Sequence, residues 1–389
     1  MSRPIYGLSP GRLAAIVLGA AVVPAVLLTA PAIAGQLAAQ LGLGPAQIGA
    51  MFSCELAAMS FATIPAWWWQ KRVDWRRVAF AAGLLFIAAN VASAFATAYA
   101  PLLVLRFISA IGGGTVMIVC MSSAAASPER DRVYGLWVCG QLVLGALGLW
   151  VLPGLFTVHG LAALYVGLAI LLALCLPLFT QFPAGLVAPA ARTADAGGQL
   201  WRPVLAIGAV LTFYVGLSGV WSFIGTIAGN SGLDAATSGA VLAVASLLGI
   251  AGSLTATGIG GRIPRGLSLA AGYAAMTASV MMLFGLPGLV QFAAAAFIFK
   301  FVWTFVLPFI LASVADLDRD GRLMSMTNLV IGGGLAIGPA ISGQILEGVG
   351  HTNPMLATSV VFLVLSFAAI SLSRLTRTRA EATTVEPAR

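Results

Sequence analysis

Charge is what this sequence has least of. Only 8% of its 389 residues are Asp, Glu, Lys or Arg, two are histidine and four are cysteine. A water-soluble domain carries about 25% charged residues, so a solvated surface of ordinary size cannot be built from this chain. Metal or acid–base chemistry has little to draw on either. His159 and His351 fall between apolar stretches, and Cys54, Cys120, Cys139 and Cys175 lie inside them without ligand spacing. The cysteines read as small buried hydrophobes. There is no Ser-His-Asp arrangement, no Walker-type loop and no strand ahead of the glycine runs at 112–114 and 332–334. The sequence therefore offers no catalytic residue, no metal site and no cofactor site, and does not read as an enzyme.

What fills the chain is apolar: 60% of residues are hydrophobic and the mean hydropathy is +1.01. About twenty apolar residues span a hydrocarbon core of roughly 30 Å. Twelve such stretches occur, at 13–35, 46–69, 78–97, 101–124, 134–156, 160–182, 204–228, 236–260, 267–286, 289–314, 323–346 and 353–373. Backbone facing lipid must satisfy its own hydrogen bonds, and the alternating signature of barrel strands is absent, so all twelve are predicted to be helices. The fold class is an all-α membrane protein of twelve transmembrane helices.

The cations orient it. Of twenty Lys and Arg, eighteen fall in alternate gaps: Arg3 and Arg12 before the first span, Lys71, Arg72, Arg76 and Arg77 after the second, Arg130 and Arg132 after the fourth, Arg192 and Arg202 after the sixth. The same parity continues through Arg262, Arg265, Arg319 and Arg322 to Arg374, Arg377, Arg379 and Arg389, and the other gaps hold no Lys or Arg. By the positive-inside rule both termini are expected in the cytoplasm. The net charge of +8 is thus a topology signal and not a nucleic-acid footprint. Arg3, Arg12 and Ala32-Ile33-Ala34 mimic a secretory signal. The run is longer than a signal core, contains Pro24, and its removal would leave an odd number of spans, so it reads as an uncleaved first helix.

The chain is a duplication. Gly42-Leu43-Gly44-Pro45-Ala46-Gln47-Ile48-Gly49 opens the second stretch and Gly232-Leu233-Asp234-Ala235-Ala236-Thr237-Ser238-Gly239 the eighth, an offset of 190 residues that also relates Gly148 to Gly338. This divides the chain into a six-helix bundle at 1–182, a cytoplasmic linker at 183–202, a second six-helix bundle at 203–375 and a tail at 376–389, the parallel-repeat plan of large transporters.

Within the spans, Leu102-Leu-Val-Leu-Arg106 runs into Gly112-Gly113-Gly114, and Gly334-Leu-Ala-Ile-Gly338-Pro339-Ala-Ile-Ser342-Gly343 forms a Gly-Pro pattern. By these motifs the chain resembles the major facilitator superfamily, bacterial twelve-helix type, over essentially its whole length. The fifth span has Gly140, Gly145 and Gly148 but no Gly-Pro, and in the loop after the second span Gln70 stands where the family places an acid. The drug-antiporter signature and the family's charge relay are therefore incomplete here. The resemblance implies a secondary active transporter of the bacterial inner membrane whose helices one, four, seven and ten line a central cavity. It is expected to act as a monomer, without cofactor, on a small-molecule substrate in the lipid bilayer.

The candidate site follows from the two cations that lie inside spans. A charge at mid-bilayer costs about 2.5–3.5 kcal/mol on insertion scales, so it faces a cavity or a partner. Arg106 suits bidentate grip of a carboxylate and Lys300 a point charge; the alternatives are a structural tether for Arg106 and a neutral lysine at 300. Tyr214, Ser218, Trp221 and Ser222 on helix seven, with Trp303 and Thr304 beside Lys300, place rings and hydroxyls toward an organic solute, with helix packing as the competing role. Glu55, the one acid well inside a span, is a candidate for proton coupling with Arg106, or a fixed ion-pair partner. Gly112, Gly334, Gly338 and Pro339 are expected at close helix contacts and gates. The sequence thus predicts transport of a small organic anion, proton-coupled, by alternating access; the alternatives are export of lipophilic compounds and a membrane sensor that binds without transport.

Overall fold

In the computed structural model, residues 9–127, 129–183, 201–259, 262–318 and 322–383 are described, and among them every regular element is helical. The segment 184–200, most of the expected linker, and Arg3, Arg192, Arg319 and Arg389 lie outside them. Helix one comes in three pieces, Pro10–Val22, Ala25–Leu28 and Ala30–Leu41, and helix two is Pro45–Phe61 continued by Thr63–Trp69. Helices three to five are Trp75–Ser93, Tyr99–Ala125 and Arg130–His159, and helix six is Leu161–Cys175 ending in a 3-10 turn, Leu176–Gln181. Helices seven to twelve are Trp201–Asn230, Ala235–Ile259, Arg265–Met281, Leu289–Ala315, Arg322–Val349 and Asn353–Thr383. Ten of these are long and apolar enough to cross a membrane; helix one is broken and helix nine has 17 residues.

Prolines explain the breaks. Pro24 has no N–H for the carbonyl of Ala20, four residues back, and Gln141 Nε2 of helix five donates to that oxygen at 2.9 Å. Pro31 frees the carbonyl of Leu27 in the same way, and Trp221 Nε1 of helix seven takes it at 2.9 Å. Helix nine stops five residues before the expected end of its span, because the chain turns through Gly285 and Leu286 at positive φ, 72° and 57°, ahead of Pro287.

The helices form two bundles. Helices three and four, two and four, three and six, and one and five pack within the first; seven and eleven, seven and twelve, eight and ten, and nine and ten within the second. The bundles meet along helix two against eleven and helix five against eight. These seams are one contact built twice. Gly49 lies on the carbonyl of Pro339 and Gly239 on the carbonyl of Leu149, with no room for a Cβ at either glycine, and both partners in each contact are 190 residues apart from their counterparts. In a bilayer, where apolar burial drives little association, such close backbone approach supplies the packing energy.

The bundles also meet at the end of the molecule where the loops carry no Lys or Arg. There the third piece of helix one packs on helix seven, and the Trp221 to Leu27 hydrogen bond crosses between bundles. Among the described residues, helix four and helix ten share no substantial contact.

Gly338→Val places a branched side chain where a Cβ alone would stand 2.5 Å from the Val215 carbonyl, whereas Gly167 has nothing within 4 Å. Thermal unfolding in detergent is expected to show Gly338→Val destabilised by about 2 kcal/mol or more and Gly167→Val unchanged.

Candidate functional site

Lys300 stands near the middle of helix ten, 4% exposed. Its ammonium lies 3.7 Å from the ring centroid of Trp221 on helix seven and 4.5 Å from that of Trp303, one turn along its own helix. Tyr214 and Phe299 meet Trp303 edge-on, with centroids at 6.4 and 5.8 Å, and Trp221 meets it edge-on at 6.4 Å. Among the described residues no carboxylate and no hydrogen-bond acceptor engages the ammonium. Cation–π contacts contribute about 0.5–2 kcal/mol, less than the roughly 2.5–3.5 kcal/mol that a charge at this depth costs. The cage holds the lysine without satisfying it. Ser222, next to Trp221, is fully buried and its hydroxyl has no hydrogen-bond partner among the described residues.

Arg106 lies in a different environment, 1% exposed inside the first bundle. Its Nη2 donates to Asn90 Oδ1 at 3.0 Å and to Ser93 Oγ at 2.9 Å, both on helix three, and its guanidinium stacks 4.4 Å over the Tyr165 ring of helix six. Asn90 in turn donates to Ser109 Oγ on helix four at 2.8 Å. Glu55 of helix two completes the cluster, with Oε1 3.9 Å from Arg106 Nε. Among the described residues that buried Nε has no hydrogen bond, so charge and not a bond holds Glu55 to Arg106. A charge-assisted hydrogen bond would close to about 2.7–2.9 Å. Beside Glu55 is a cavity of about 20 Å³ lined by Val23, Pro24, Leu27, Phe52 and Met59 among others, space for roughly one water. The cavity opens where Pro24 breaks helix one, and Leu27, which lines it, is the residue that Trp221 binds from the other bundle.

The structure thus brings Lys300, Trp221, Trp303 and Tyr214 together, and separately Arg106 with Glu55. It does not gather both cations on one set of side chains: the Arg106 hydrogen bonds go to helix three. Ser218 and Thr304 are at packing positions, Ser218 Oγ donating to the Gly334 carbonyl at 3.2 Å and Thr304 Oγ1 to the Gly249 carbonyl at 2.6 Å. Gly112 lies against the Ala82 carbonyl, Gly334 against Tyr214 and the Leu211 carbonyl, and Gly338 against Ser218 and Val215. In the loop after helix two, the amide of Gln70 reaches Ser122 Oγ on helix four at 3.1 Å. Asp316 at the end of helix ten pairs with Arg265 of helix nine.

Sequence reasoning missed Asn90, Ser93 and Tyr165 as partners of Arg106. Asn90 and Ser93 are polar, one turn apart within an apolar helix, a spacing that marks one face aimed at a buried partner. Tyr165 carried no such signal.

The family model of the Major Facilitator Superfamily matches residues 15–319. Among solved structures, the crystal structure of a mutant of the nucleoside transporter NupG is similar with a TM-score of 0.71 at 12% identity, covering 93% of this chain and 98% of that one. At this identity the likeness is one of fold. No curated relative matches the chain by sequence.

The two cations differ in what their removal does to stability. Arg106→Met strips a buried cluster of its centre and is expected to cost about 3–5 kcal/mol. Lys300→Met removes an uncompensated buried charge and is expected to leave unfolding within about 1 kcal/mol of wild type, or to raise stability. Parallel thermal melts of the two variants read this directly, and equal losses would contradict it.

Proposed function

This chain belongs to the Major Facilitator Superfamily and is a solute transporter in the membrane, and from that premise we propose that its cargo is a small organic anion with a flat, aromatic or unsaturated body. The observation that carries this reading is Lys300: an ammonium buried against Trp221 and Trp303 with no carboxylate engaged among the described residues. An arriving carboxylate supplies the missing counter-charge, and the rings that hold the lysine also offer faces for an apolar cargo. Trp221 belongs both to this cage and to the hydrogen bond that joins helix seven to helix one. Cargo that draws Lys300 away from Trp221 therefore acts on a contact between the bundles, which is the coupling alternating access requires.

Glu55 is the proton carrier in this reading. It borders a cavity of water size and is held to Arg106 across 3.9 Å without a hydrogen bond, so a proton on Glu55 has little to break. The basic loops lie in the cytoplasm of a bacterial cell, and the end sealed by helices one and seven faces outward. The protein works as a monomer.

Flux in proteoliposomes loaded across a panel of mono- and dicarboxylates, neutral lipophiles, nucleosides and cationic drugs, with and without a pH gradient, tests the assignment. Carboxylate transport is expected, reduced at least about tenfold in Lys300→Ala. Responses confined to lipophilic compounds would make the protein an exporter of that class instead. Glu55→Gln is expected to abolish acceleration by the pH gradient while sparing exchange; an unchanged pH response would leave Glu55 a structural partner of Arg106.

A further inference from the structure

Helix two and helix eight hold equivalent places in the two bundles, yet their first turns are capped differently. A helix start leaves backbone N–H groups without intrahelical partners and carries about half a positive charge. Helix eight caps itself: Asp234 Oδ1 accepts from the Thr237 N–H at 2.8 Å and Oδ2 from the Thr237 hydroxyl at 2.7 Å. The position 190 residues earlier is Gly44, which has no side chain to do this. The carboxylate for helix two comes instead from the other bundle, where Glu347 Oε2, near the end of helix eleven, accepts from the Ala46 N–H at 2.8 Å. Gln47 Oε1 accepts from the Gly44 N–H at 3.2 Å but carries no charge, and a Cβ on Gly44 would stand 2.6 Å from the Glu347 oxygen, so the glycine that lacks a capping carboxylate also leaves room for the distant one.

The offset that superimposes the two seams maps Glu347 onto Thr157. Residues 154–159 contain no acid, and the Thr157 hydroxyl donates to the Gly154 carbonyl in its own helix. A seam built twice thus carries a carboxylate across it on one side only. The loops at this end of the molecule contain no Lys or Arg, so no side-chain cation competes with the start of helix two for Glu347. Glu347 is exposed, and water can replace the contact when the helices part.

We infer that Glu347 is a latch which holds the end of the transporter lacking basic loops shut, by capping helix two from the opposite bundle. Opening this end requires helix two to exchange the carboxylate for water, and the seam between helices five and eight makes no such exchange. The inference needs only that the bundles move against each other and is independent of the cargo.

Double electron–electron resonance across this end tests it, on full-length protein in liposomes without substrate. Labels go on Ala39→Cys of helix one and Asn230→Cys of helix seven, with the four natural cysteines replaced. Glu347→Ala is expected to raise the ratio of long to short distances by about three- to tenfold. Gly44→Asp combined with Glu347→Ala restores a cap within helix two, as in helix eight, but not the link between bundles. That double variant is expected to regain melting temperature and keep the long distances. An unchanged distribution in Glu347→Ala overturns the latch. So does a return to the wild-type distribution in the double variant, which would make Glu347 a stabiliser of helix two alone; if the single variant does not fold, the double variant decides.

Discussion

In a bilayer a backbone carbonyl that loses its helical donor has no water to turn to, and this constraint organises the molecule. Pro24 and Pro31 each free one carbonyl in helix one. Gln141 takes the first from within the same bundle and Trp221 takes the second from the other. The defect in one helix becomes the joint between two bundles. Leu149, whose carbonyl Pro153 frees in helix five, is likewise a contact point, meeting Gly239 of helix eight across the seam. Of these three carbonyls, those of Leu27 and Leu149 meet the other bundle, so two proline positions double as contacts between bundles.

The two buried cations show how burial separates structure from function. Arg106 has two hydrogen bonds, a ring beneath it and a carboxylate nearby, so its charge is largely compensated by fixed groups. Among the described residues Lys300 meets only the faces of two indoles. A compensated charge contributes to a rigid bundle, and an uncompensated one stores free energy that a ligand can release. The aromatic cage joins this lysine to Trp221 and so to the Leu27 contact, placing the charge one residue away from the joint between bundles.

Duplication made the two bundles alike, and small departures from it make the two seams unlike. Gly49 with Pro339 and Gly239 with Leu149 repeat one another atom for atom in kind. Gly44 against Asp234, and Glu347 against Thr157, break the repeat at one end. A symmetric pair of seams resists opening equally; a carboxylate on one of them gives the closed end a contact with its own strength and its own partner.

The fold was legible in the sequence because in lipid the rules are strict. Apolar length sets the spans, cation parity sets the orientation to be expected, and the 190-residue repeat exposes two bundles; among the described residues the structure groups into twelve helices in two sets of six, and the family match and the fold likeness are to membrane transporters. Helix ends were less legible, since the turn at Gly285 and Leu286 and the breaks at Pro24 and Pro31 follow local backbone geometry that hydropathy averages away. Arg106, Lys300 and Glu55 stood out in one dimension because a charge among apolar residues is costly wherever it lands. Which partners they meet could not be read: Asn90, Tyr165 and Trp221 reach them from other helices, and the rotation of each helix about its axis is fixed only when all of them pack. Sequence determined how many apolar spans there are and which residues must be explained; tertiary structure alone decided that, among the described residues, one cation is largely compensated and the other is not, because compensation is a property of neighbours and not of the chain.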